Sequence, residues 1–208
     1  MQALDTAFPG KPLDDVGLQE ADGLPARLEQ AGLLQGLGTL WVSPILRARQ
    51  TIAPVEAATG LSATIDSGLR EVLAADLEMN TDARSVACYV DTTRAWMTGR
   101  PACRIPGSPE DGVDTLQRFD DAVSRIADQT AKAGGSAALL VSHGTALRLW
   151  TSLKAAPRAG VEPLWIAEHP MHNTGITVVE GDPGAGWSLT SWDDGTWGEP
   201  SRAATMSS

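Results

Sequence analysis

The run Leu139-Leu140-Val141-Ser142-His143-Gly144 carries an apolar segment straight into a hydroxyl, an imidazole and a residue with no side chain. Imidazole is the side chain whose ordinary charge change falls between about pH 5 and 8, so His143 at a strand tip can handle a proton or hydrogen-bond an anion. Gly144 beside it lets a ligand come close to the backbone. A second cluster, Ser43, Pro44 and Arg47, comes after the apolar run 38–43 in the same way. Arg47 lies within about one turn of a predicted helix start, where a guanidinium can swing toward the strand tips and hold a phosphate or carboxylate through two parallel hydrogen bonds. The chemistry such a pair offers is capture of a small anion. The plain alternatives are a structural histidine and an arginine in a surface ion pair, the role that suits Arg49.

Two other chemistries are weaker. Ser142 with Gly144 is half of a nucleophile elbow, but that turn needs glycine two residues before the serine and finds Leu140. His169 and His172 are three apart, a spacing that could share a metal on a helix. The stretch "EHPMHN" around them holds Pro170 and no helical pattern, so neither zinc nor iron is expected.

The elements that must position these residues alternate between strand and helix. The segments 38–43 and 137–142 read as buried parallel strands, each leading into a helical pattern. The first such helix runs from Pro44 to Ala58 and stops at Gly60. Residues 107–135 form the clearest amphipathic pattern, with Val113, Leu116, Phe119, Val123 and Ile126 on one face and two glycines at the end. Residues 13–32 read as a helix that Pro25 kinks or interrupts. Near the C-terminus, 174–180 and 187–192 read as an antiparallel pair across "GDPGAG". This is an α/β pattern, one domain over 1–192 with a disordered tail over 193–208. In such sheets ligands gather beyond the carboxyl ends of the strands, where Ser43–Arg47 and His143–Gly144 both fall.

The formal charge is −10 and the pI about 4.7. No basic stripe is present to neutralise a polymer of phosphates, which argues against nucleic acid and anionic membranes and for a small-molecule partner. Two cysteines, Cys88 and Cys103, make no disulfide framework, and no window resembles a signal peptide or an apolar span; the expectation is a cytoplasmic protein. Seven tryptophans show no regular spacing. They read as core or interface packing and leave a homodimer open.

The stretches "LDTAFPGKPLDDVGLQEA" (4–21), "SPILRARQTIA" (43–53), "LREVLAADLE" (69–78), "RIPGSPEDGVDTLQRF" (104–119) and "VSHGTALRL" (141–149) stand in the order and spacing of the histidine phosphatase superfamily. The sequence resembles these phosphoglycerate mutase-like proteins from about residue 4 to about 192. The resemblance implies a three-layer sandwich, a mostly parallel sheet with helices on both faces. It also implies hydrolysis of a small phosphomonoester through a phosphohistidine, with no metal and no cofactor; phosphatase is favoured over mutase. Carried over by motif, His143 is the second histidine of the site, on a phosphate oxygen. Arg47 and Gly144 bind phosphate, Glu71 protonates the leaving oxygen, and Asn173 is a polar position near the pocket. The types suit the work, since Arg47 and His143 oppose developing negative charge and Glu71 needs burial to keep its proton.

The pattern departs from the family at one point. Its nucleophile is a histidine in an Arg-His-Gly loop after a first strand. All three histidines here lie at 143 or later, so the nucleophile is none in this chain. The sequence therefore reads as N-terminally truncated, by a mis-called start or by loss in a protein that keeps the fold as a phosphate-ligand-binding module. A mis-called start is favoured, because the resemblance puts the missing strand inside the sheet. Losing a nucleophile that works as part of a unit commonly costs on the order of 10⁴–10⁶ in turnover, so the chain as written is expected to be close to inert. Ala75, Met79 and Ser108-Pro109 stand where many relatives carry glycine pairs or Glu-Gly.

Overall fold

A computed structural model describes residues 5–195. The chain opens with two short helices, α1 (Asp15–Asp22) and α2 (Leu24–Gln30). Asp14 caps α1 by accepting from the Gly17 amide at 2.8 Å. The break falls at Gly23, with Pro25 at the start of α2, the place where a proline's missing N–H costs nothing.

Strand β1 (Leu37–Val42) leads into α3 (Leu46–Thr59), which ends on Gly60 in the left-handed conformation. A three-residue strand, β2 (Ala63–Ile65), comes next. Beyond a loop come α4 (Ala83–Met97) and α5 (Gly112–Lys132). The latter starts at Gly112 and not at residue 107 of the amphipathic stretch, because Asp111 and Asp114 close a capping box there. The Asp111 carboxylate accepts from the Val113 and Asp114 amides at 2.9 and 3.1 Å. Strand β3 (Ala137–Val141) precedes α6 (Gly144–Trp150), whose winding loosens to a π-helix over Thr151–Ala155. Helix α7 (Pro163–Glu168) and the hairpin β4 (Val178–Asp182) and β5 (Gly186–Ser191) complete the described residues.

The parallel sheet runs β2-β1-β3, and β4 pairs antiparallel with β5. Two apolar clusters cover the parallel sheet. Leu24, Leu28, Ile52 and Val55 of α2 and α3 lie on one face, and Phe119, Ile126 and Leu149 of α5 and α6 on the other. Leu139 and Val141 of β3 pack on the first cluster with Ile176, and Leu140 on the second with Val179. The start of the hairpin thus shares both clusters with β3. Among the described residues β3 pairs only with β1, and Leu139, Leu140 and Val141 are only half-buried.

The tryptophans are core. Trp41, Trp96, Trp150 and Trp192 are buried, Trp150 sits edge-on to Trp187 at 5.9 Å, and Trp197 lies outside the described residues. Of the expected tail, 196–208 also lie outside them. Asp193 is 4% exposed and accepts from the His172 amide at 3.1 Å, and Asp194 pairs with Arg27 at 3.4 Å.

Candidate active site at the strand tips

Two neighbouring parallel strands end level with each other, since Val42 pairs with Val141 and the Ser43 amide donates to the Val141 carbonyl at 3.0 Å. The residues just past the two strand ends are therefore brought together. Arg47 Nη2 lies 3.3 Å from His143 Nδ1, and His143 Nε2 lies 2.7 Å from Ser43 Oγ. A guanidinium only donates, so Nδ1 accepts and Nε2 carries the proton that Ser43 Oγ receives. His143 is 6% exposed and Ser43 fully buried. Burial, helped by the charges of Arg47 and Arg118, lowers the His143 pKa to about 3. The imidazole is neutral at pH 7, a hydrogen-bonding group and not a cation.

Arg47 Nη1 is buried and makes no hydrogen bond; the Asp5 carboxylate approaches it at 3.6 Å. Nothing in the sequence points to Asp5 as a site residue. It is brought there because Thr6 is tied down, its amide and hydroxyl each donating to the Glu78 carboxylate at 2.6 Å while Thr6 Oγ1 accepts from the Ala74 amide at 2.8 Å. Gly10 passes so close that a Cβ there would stand 3.1 Å from Arg47 Nη1. Gly144 is exposed, and the space its side chain would fill is open, with no atom within 4 Å.

Glu71 is 8% exposed, so its carboxyl is not that of a solvated loop acid. Its Oε1 accepts from the Val72 and Ala146 amides at 2.8 and 3.0 Å and its Oε2 from the Thr145 amide at 3.3 Å. The carboxyl therefore meets the first turn of α6, immediately after His143. Burial raises its pKa against the opposing pull of those amides and of Arg47. Tyr89 is packed beside it; burial and the Glu71 charge push the phenol well above its usual range.

The loop bearing Glu71 keeps a glycine-like course without the glycines. Ala75 and Met79 sit at φ 49° and 62°, left-handed backbone that costs an ordinary residue about 1 kcal/mol each. A glycine is kept where none could be spared: at Gly107, φ 71°, a Cβ would stand 2.2 Å from the Asp76 carboxylate.

The remaining sequence candidates stand apart from this group. Asn173 is exposed in the turn before β4, and among the described residues no hydrogen bond joins it to Arg47, His143 or Glu71. Ser142 Oγ donates to the Leu69 carbonyl at 2.7 Å, a structural bond that also ties the Glu71 loop to β3. His169 stacks on Trp165 at 4.1 Å, while His172 meets Asp193 through Nδ1. Arg49 is exposed. Asp5 and Arg118, which faces the backbone of the Glu71 loop, carry no signal in the sequence, because the contacts that bring them here, to Arg47 and to the 68–71 backbone, span 40 or more residues.

With this geometry the chain can be set beside known proteins. Mycobacterial glucosyl-3-phosphoglycerate phosphatase matches with a TM-score of 0.70 at 21% identity, over 92% of this chain and 91% of that one. Its complex with inorganic phosphate matches with the same TM-score and identity over 92% and 93%. The α-ribazole phosphatase of Shigella flexneri matches with a TM-score of 0.62 at 21% identity, over 92% and 88%. At these identities the likeness is one of fold. A PE-PGRS family protein of Mycobacterium tuberculosis is 30% identical over 200 residues; the match takes in 91% of this chain and about a third, 33%, of that protein's length. The family model for the histidine phosphatase superfamily (branch 1) matches residues 8–195. The chain belongs to that superfamily.

Proposed function

We propose that the described residues form the phosphate-binding and proton-donor side of a phosphomonoester hydrolase acting on a small phosphorylated metabolite. The observation that carries this is the part-buried pairing of Arg47 with His143 at adjacent strand tips, with a buried Arg47 N–H left without an acceptor. Phosphate oxygens would take that N–H and compete with Asp5 for the guanidinium. Neutral His143 would turn its Nε2–H from Ser43 to a phosphate oxygen. Charge that grows on phosphorus oxygens in the transition state is met by groups already in place, with no metal required on this route. Glu71, whose burial holds its proton to higher pH than in a free glutamate, would give that proton to the leaving oxygen.

The nucleophile comes from outside this group. His143 is engaged on both ring nitrogens, His169 is stacked on tryptophan, and His172 is paired with Asp193. The half-buried, one-sided β3 fits an added parallel strand, the element on which the family carries its attacking histidine. The unbridged Cys88 and Cys103 fit a reducing cytoplasm.

The test is a form translated from the in-frame codons upstream of Met1. An apolar strand ending in Arg-His-Gly there should restore p-nitrophenyl phosphate hydrolysis, and Arg47→Ala and His143→Ala should each lower it at least a hundredfold, to be read as kcat/KM. Unchanged rates in both variants sink the proposal. The second reading, a phosphate-binding module without turnover, is favoured by the engagement of all three histidines. An upstream stop codon, with phosphate binding by calorimetry and no hydrolysis, would establish it.

A further inference from the structure

The loop that carries Glu71 is gripped from behind by one side chain of α5. Arg118 Nη1 donates to the carbonyls of Gly68 and Arg70 at 2.8 and 2.9 Å, and Nη2 to the carbonyl of Glu71 itself at 3.1 Å. Its Nε donates to Glu110 Oε2 at 3.1 Å, and Glu110 also pairs with Arg70. The side chain is 15% exposed. The loop is pressed onto the helix as well as bonded to it, since a Cβ on Gly68 would stand 2.7 Å from both the Arg118 carbonyl and Ala122 Cβ.

We infer that Arg118 is a positioning residue for Glu71, its fork fixing the 68–71 backbone so that the carboxyl is delivered to the first turn of α6. A guanidinium is planar and holds several acceptors in fixed directions; an ammonium carries the same charge without that geometry. With the Glu71 carbonyl turned toward α5, its side chain is left to run the opposite way, to the amides of Val72, Thr145 and Ala146. Releasing the fork strands three carbonyls in a half-buried seam, which only movement of the loop into water can satisfy. The catalytic consequence rests on the reading of Glu71 as the proton donor; the mechanical one does not.

Arg118→Lys separates geometry from charge. The chain as given suffices for the first arm, ¹³C NMR titration of the Glu71 carboxyl, assigned by its loss in Glu71→Gln. The ionisable groups facing that carboxyl are Arg47, Arg148, Tyr89 and Arg118, and the substitution leaves the three positive charges in place and the Tyr89 phenol neutral. In a folded Arg118→Lys protein, Glu71 should titrate at distinctly lower pH, because water reaches it; an unchanged titration overturns the inference. Should Arg118→Lys fail to fold, Glu110→Gln loosens the Nε anchor together with the Arg70 pair, leaves the three carbonyl bonds of Arg118 in reach, and must move Glu71 in the same direction. The second arm uses the hydrolytically active form. There Arg118→Lys should lower kcat at least tenfold, leave KM within twofold, and move the alkaline limb of the rate profile to lower pH; a raised KM with kcat intact overturns it. A fully active Glu71→Gln would end the proton-donor reading, while the titration arm would still decide whether Arg118 holds the loop.

Discussion

His143 is buried between cations, and this shows in the pH dependence of stability. Its pKa is about 3 in the fold against an ordinary 6.5, so the unfolded chain binds the proton more tightly across that interval. Stability from this residue is complete above about pH 6.5 and is lost as pH falls toward 3. By the usual conversion the loss is at most on the order of 5 kcal/mol over the whole interval. Glu71, whose pKa is raised, acts with the opposite sign: its contribution is full below the ordinary glutamate range and declines as pH rises through its folded value. His143→Gln should therefore lose less stability than the parent between pH 7 and pH 4 in urea titrations. Equal losses would mean that the imidazole is not held in the dry, cation-flanked setting described.

Among the elements, β1 and β3 determine whether the site exists, and they meet through two glycines. A Cβ on Gly38 would stand 2.6 Å from the Gly135 Cα, and one on Gly135 would stand 2.5 Å from the Gly38 Cα. No rotamer can relieve a clash between backbones. Gly135→Ala should cost about 1–3 kcal/mol, the usual range for overpacking, seen as a lower denaturant midpoint. It should also loosen the Val42–Val141 register that brings Arg47 to His143; a midpoint at the parent value would show that the crossing is slack. The elements legible in the sequence are those whose signals are local: the amphipathic stripe of α5, the Gly60 stop of α3, the interruption at Pro25, the hairpin. Helix α4 is not legible there, because its buried face mixes Tyr89, Thr93, Trp96 and Met97, and the threonine blurs the apolar period. Strand β2 is three residues long, too short for alternation to register.

At the scale of the molecule, β3 has the composition of an interior strand and the burial of an edge. Among the described residues one edge of β3 is unpaired, and an all-apolar pentapeptide at such an edge invites pairing. Hydrogen exchange offers the check: in the chain as given, the β3 amides that point away from β1 should exchange fast, and in a form carrying an added N-terminal strand they should be protected. Protection already present in the shorter chain would mean that the edge is covered by some other means.

The α/β class, and Arg47 and His143 as the candidate residues at the strand tips, can be read from the residues alone, because strand-to-helix junctions and side-chain types are written locally. That the two side chains meet at 3.3 Å, that Glu71 is dry, and that Asp5 and Arg118 belong to the same neighbourhood emerge only once the chain is folded. Each of these depends on strand register and on contacts between residues far apart in the chain, and register is set only when both faces of the sheet are packed.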